Sequence, residues 1–108
     1  METIVITPPV EGVHLHRLPP LTRLHIWTTN TVYQVVVWRG DHVYVRGGTF
    51  FPQFTAARLD GARIGGGLLK AGWIVAGLRM EIRAGDVRIV TTPVEIIATE
   101  RPSPPMLH

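Results

Sequence analysis

"TVYQVVVWRGDHVYVRGG", residues 31–48, decides the fold. Residues 31–38, β-branched or aromatic at every position but Gln34, read as apolar on both faces, which predicts a central strand covered on each side or one contributing to a subunit interface. The tripeptide at 39–41 then reads as a turn, and "HVYVRG" returns with Val43 and Val45 inward and His42, Tyr44 and Arg46 outward. Upstream, "RLHIWTT" (23–29) places Leu24 and Ile26 on one face and Arg23, His25 and Trp27 on the other. Downstream, "GWIVAGLRMEI" (72–82) reads as one strand presenting Ile74, Ala76, Leu78, Met80 and Ile82, with Gly77 at a bulge or corner. "RAGD" turns it into "VRIVTT", and a last strand starts after Pro93. Near the N-terminus "TIVIT" and "VHLHRL" read as strands, each closed by a Pro-Pro pair at 8–9 and 19–20. No segment carries helical periodicity. The expectation is an all-β fold: a small barrel or barrel-like sandwich of five to seven mostly antiparallel strands, with one long Gly-rich loop over about 47–71.

With 108 residues, the chain has room for one β domain, 1–100, followed by a Pro-rich flexible tail, 101–108. At 45% hydrophobic and 18% charged it is too apolar for disorder, and so small a core favours a homo-oligomer. The absence of cysteine excludes disulfides, a thiolate nucleophile and Cys-ligated zinc. An acidic residue and early prolines in "METIVITPPV" do not suit a signal peptide, and no apolar run reaches the ~18 residues of a membrane span. A cytoplasmic protein with no membrane contact is expected. Ten arginines and one lysine against eight acids give +3, but the arginines are dispersed along the sequence rather than clustered.

"GARIGGGLLKAGW" (61–73) is the chain's most conspicuous candidate site. It lacks the Gly-Lys-hydroxyl sequence of a phosphate loop and the final glycine of a dinucleotide fingerprint. Gly65, Gly66 and Gly67 are therefore read as backbone freedom for a loop closing one barrel end, with Lys70 as its contact to a ligand or partner. His14 and His16, two apart, are the metal-ligand candidates, to which His25 and His42 could add only if the fold brings them close. Tyr44, Arg46, Trp27 and Arg39 combine rings and guanidiniums as a single-strand platform does. Phe50, Phe51 and Phe54, with Trp38, either plug the barrel mouth or anchor a neighbouring protomer. The only serine, Ser103, lies in the tail and no carboxylate pair has acid–base spacing, so no catalytic residue and no cofactor are assigned.

Taken together, "TTNTVYQVVV", "VRGGTFFPQF", "GGGLLKAGWIVAGLRMEI" and "VTTPVEII" resemble a group of small uncharacterised bacterial all-β proteins over residues 28–97. That group has serines where Ala62 and Gly67 stand here. The resemblance implies a compact bacterial β domain and carries over no active-site residue. The resulting expectation is a non-enzymatic β domain acting through self-association or protein contacts. The alternatives are a nucleic-acid-binding barrel and a metal or small-ligand site at His14 and His16.

Overall fold

A computed structural model describes residues 4–6 and 9–102. They form strands β1 (Ile4–Ile6), β2 (Gly12–His14), β3 (Arg23–Thr28), β4 (Val32–Arg39), β5 (His42–Gly47), β6 (Phe51–Gly65), β7 (Leu68–Ala71), β8 (Trp73–Val75), β9 (Arg79–Ala84) and β10 (Val87–Pro102). A single 3-10 turn, Leu15–Arg17, follows β2, and the described residues contain no α-helix. None is therefore long and apolar enough to cross a membrane. The fold is all-β, as the alternation requires.

Antiparallel pairing runs β3–β4–β5–β6–β9–β10, and β10 returns to β3, so six strands close into a ring. β1 and β7 extend it, and β2 pairs with β8 as a separate two-stranded sheet. Inward positions of the ring interlock: Leu24, Ile26, Val35, Val37, Val43, Val45, Leu59, Met80, Ile82 and Ile97 are all essentially inaccessible. Burying each such aliphatic side chain is worth about 1.5–3 kcal/mol, which is what holds so small a ring together.

The segment read as a long loop is instead mostly strand. β6 runs 15 residues and folds back into β7 through a Gly66–Gly67 turn. Both glycines have positive φ, 60° and 81°, as a two-residue hairpin turn needs. Residues 72–82 are two strands rather than one, because a turn at Ala76–Leu78 hands the chain from β2's partner to β6's. Conversely, Pro93 does not begin a strand. It lies inside β10, where the strand exchanges β9 for β3 and the register shifts on both sides, so its missing N–H costs no ladder bond. β10 continues through Pro102, two residues into the expected tail; residues 103–108 lie outside the described residues.

β4 is covered on one face only: Tyr33, Val35 and Val37 are buried, while Val32 and Trp38 are exposed. The three phenylalanines part company. Phe51 is 2% exposed and belongs to the core, so it cannot anchor a neighbour, whereas Phe50 and Phe54 face outward. "VHLHRL" stops being a strand at His14, because the 3-10 turn drops Leu15 into the core and ties its N–H to the Gly72 carbonyl at 2.8 Å.

Candidate functional site

Cross-strand register assembles on the outer face what the sequence scatters. Arg39 on β4 stands opposite His42 on β5, His42 opposite Arg58 on β6, Arg58 opposite Arg83 on β9, and Arg83 opposite Arg88 on β10. Five basic residues thus line up across five adjacent strands, spanning about 19 Å at roughly 4.8 Å per strand. The expectation of dispersed arginines holds along the chain and fails in space. Directly opposed like charges destabilise a sheet, so this row is maintained against its own repulsion.

Carboxylates moderate that repulsion. Arg58 donates to Asp41 at 2.9 Å, and Arg83 grips Asp60 with two bonds at 2.7 and 3.0 Å. Arg88 and Arg63 flank Glu81, itself 8% exposed, at 3.2 and 3.9 Å. Burial alone would raise the Asp41 pKa, but the hydrogen bond and charge of Arg58, with His42 and His16 adding, hold it below the usual carboxylate range. The Asp60 hydrogen bond and charge likewise push the Arg83 guanidinium up. Five guanidiniums against three carboxylates leave the band net positive, and Arg39 has no ion pair among the described residues.

Beside this row lies a groove of about 350 Å³ lined by Trp38, His42, Val43, Tyr44, Ala56, Ala57, Arg58, Arg83 and Gly85. It exists because small residues lie between large ones: Ala56 sits opposite Tyr44, and Ala57 and Gly85 add little bulk. Trp38 and Tyr44 are 50% and 43% exposed, enough to leave ring surface for a planar ligand. Two residues further along β5, Arg46 hydrogen-bonds Gln34 and lies 4.6 Å over the Phe54 ring.

Of the residues singled out from sequence, Tyr44, Arg46 and Arg39 therefore share the face with Trp38 and Phe54. Trp27 does not join the groove: it pairs with Val32, four residues along β4 from Tyr44's partner Val36, about 13 Å away. Phe50, 66% exposed, follows the end of β5. Gly65, Gly66 and Gly67 stand at the tip of the β6–β7 hairpin, where an added Cβ meets nothing within 4 Å, so their role is conformational.

Lys70 leaves that hairpin and places its ammonium 4.2 Å over the Trp73 ring. His14 meets the same ring edge-on at 5.1 Å, and His14 and His16 rings lie 5.2 Å apart. The two histidines are neighbours, but they do not share a strand face: β2 ends at His14, and His16 lies in the 3-10 turn. His25 is bound to Glu100, and His42 lies 3.8 Å from Asp41. No set of three or more His, Asp or Glu able to hold a metal occurs among the described residues.

Arg58, Arg83 and Arg88 escaped the sequence reading, as did the Lys70–Trp73 contact. An Arg-x-Asp alternation in "ARLDG" was the one local sign, since it marks an outward charged face at 58 and 60. Searches of family models, curated proteins and solved structures return no match for the chain.

Proposed function

We propose that this is a non-catalytic binding domain whose outer β4–β5–β6–β9–β10 face takes single-stranded nucleic acid. One observation carries the reading: a register-aligned basic row runs past a groove walled by Trp38 and Tyr44. Single strands are held by this pair of devices, guanidiniums tracking phosphates and aromatic rings stacking bases. The ion pairs of Arg58 and Arg83 fix their guanidinium planes in advance, which lowers the ordering cost of binding. Stacking is worth about 1–3 kcal/mol per base, so Trp38→Ala or Tyr44→Ala should weaken binding of a short oligonucleotide by about 5- to 150-fold. Fluorescence anisotropy at low salt measures this. Affinity unchanged in both variants removes the reading.

Self-association is a second reading, favoured by a different feature. β7 is paired on one side only, and all four of its residues are exposed, with Leu68 at 66%. An unpaired edge with apolar side chains invites a second copy to extend the sheet. Light scattering should then show a dimer that Leu69→Pro dissolves, and a strict monomer at high micromolar concentration ends this reading.

A further inference from the structure

We infer that the hollow across the basic row from the aromatic groove is a guanine-binding pocket, in which Glu81 reads the Watson–Crick edge of the base. On β5, β6 and β9 the row occupies His42, Arg58 and Arg83. Tyr44, Ala56 and Gly85 lie to one side of it and line the groove, whereas Asp41, Asp60 and Glu81 lie to the other and line a second cavity of about 540 Å³. Arg83 borders both. Small-ligand sites usually measure about 300–1,000 Å³, so the second cavity has room for a base and its sugar. One wall comes from β7, where Leu68 and Leu69 leave apolar surface uncovered for a ring to lie against. Small residues keep the space beside Glu81 open: Gly61 stands opposite it on β6, and Ala71 stands opposite Gly61 on β7. Gly61 can carry no side chain, since a Cβ there would lie 2.2 Å from the Lys70 carbonyl oxygen.

Three carboxylates line this cavity, and two of them are committed. Asp41 accepts from Arg58, and Asp60 takes both bonds of Arg83. Glu81 differs: its side chain is only 10% exposed, yet its carboxylate accepts no hydrogen bond among the described residues. Arg88 Nε at 3.2 Å and Arg63 Nη1 at 3.9 Å both approach the same oxygen, Oε1, as ion pairs. The cavity thus offers a largely desolvated acceptor pair with two guanidiniums gathered at one end of it. A phosphate would gain the guanidiniums but meet the carboxylate's repulsion, and a metal ion would gain the carboxylate but meet two positive charges. A neutral ring with donors and acceptors side by side satisfies both. Guanine is such a ring: N1–H and the N2 amine donate together to a carboxylate, while O6 and N7, beyond N1, accept from guanidiniums. Uracil and thymine carry one N–H between two carbonyls, so a carbonyl would face Glu81. Adenine and cytosine turn an unprotonated ring nitrogen towards it. Each of these sets a lone pair against an acceptor-only group.

The inference rests on the nucleic-acid reading for the strand that delivers the base: a backbone following the row can turn one base into the groove and a neighbour into the cavity. The test titrates the full chain, by fluorescence anisotropy at low salt, with a short all-thymidine strand, the same strand carrying one central guanine, and the same strand with inosine in its place. Guanine should bind at least about fivefold more tightly than thymidine, and inosine, which lacks only the N2 amine, should lose most of that gain. Glu81→Gln should abolish the preference while total strand affinity rises, because one negative charge beside the row is gone; an unfolded variant could not show that rise. Equal binding of the three strands by wild type, or a guanine preference that inosine and Glu81→Gln leave intact, overturns the pocket and leaves the nucleic-acid reading standing. If no strand binds, that reading fails, and amide NMR titrations with guanosine monophosphate and thymidine monophosphate decide the pocket by themselves. A saturable preference for the guanosine nucleotide that Glu81→Gln removes assigns the pocket to a free nucleotide. No binding, or like binding of both nucleotides, overturns it.

Discussion

Asp41 sits where the β4–β5 turn meets the basic row, 2.9 Å from Arg58 and 3.8 Å from His42. Its folded pKa lies below the unfolded value of roughly 3.9. The unfolded chain therefore binds the proton first, and the stability that Asp41 contributes is complete above that value and is lost as pH falls through the folded one. Urea unfolding at pH 5, 4 and 3 should show wild type losing more stability than Asp41→Asn over the acid steps; equal losses would mean that the Arg58 contact is not made in solution. Much at this scale was readable beforehand. Leu24, Ile26, Val43 and Val45 point inward because they alternate with charged, His or ring residues bearing a polar tip (Arg23, His25, Trp27, His42, Tyr44, Arg46), and period two gives them the opposite face. Phe51 was not readable, because "FFPQF" offers three rings and only the start of β6 decides which turns in.

Elements differed in legibility for physical reasons. β3, β4 and β5 are rich in Val, Ile, Thr and aromatic residues and stand out, whereas β6 is built on Ala56, Ala57, Gly61 and Ala62, whose low strand propensity hid it inside an apparent loop. Pairing on both sides overrides that propensity: β6 has β5 and β7 along one edge and β9 along the other. The connection into β3 carries a local cost that can be tested. Pro19, Pro20, Leu21 and Thr22 make a turn closed by the Thr22 N–H on the Pro19 carbonyl at 3.3 Å, with Leu21 at φ 68° and 67% exposed. This is the third position of a type II turn, which favours glycine, and the left-handed conformation costs an L-residue roughly 1–2 kcal/mol. After glycine's greater unfolded-state entropy is subtracted, Leu21→Gly should stabilise the protein by about 0.5–1 kcal/mol in urea unfolding. A loss of stability would show that the exposed leucine is packed against something in solution.

At the scale of the whole molecule, ring closure matters more for function than any single strand. Arg39, Arg58, Arg83 and Arg88 are spread over 50 positions of sequence: β5 joins Arg39 to Arg58 through His42, and the Arg83–Arg88 hairpin joins them because β9 pairs with β6. Register is the part of the site that a single sequence cannot supply, since it follows from how hydrophobic faces align across strands that are distant in the chain. The same closure leaves the aromatic groove open on one side of the row and the Glu81 cavity open on the other. The most direct test of the central claim is a salt titration of single-stranded oligonucleotide binding, followed by tryptophan fluorescence in wild type and in Arg58→Gln, Arg88→Gln. The account predicts quenching through Trp38 and a log–log slope near about −2, corresponding to three phosphates at about 0.7 each, falling towards about −0.7 in the double variant. Binding that is absent at low salt, or a slope that the double variant leaves unchanged, would contradict it.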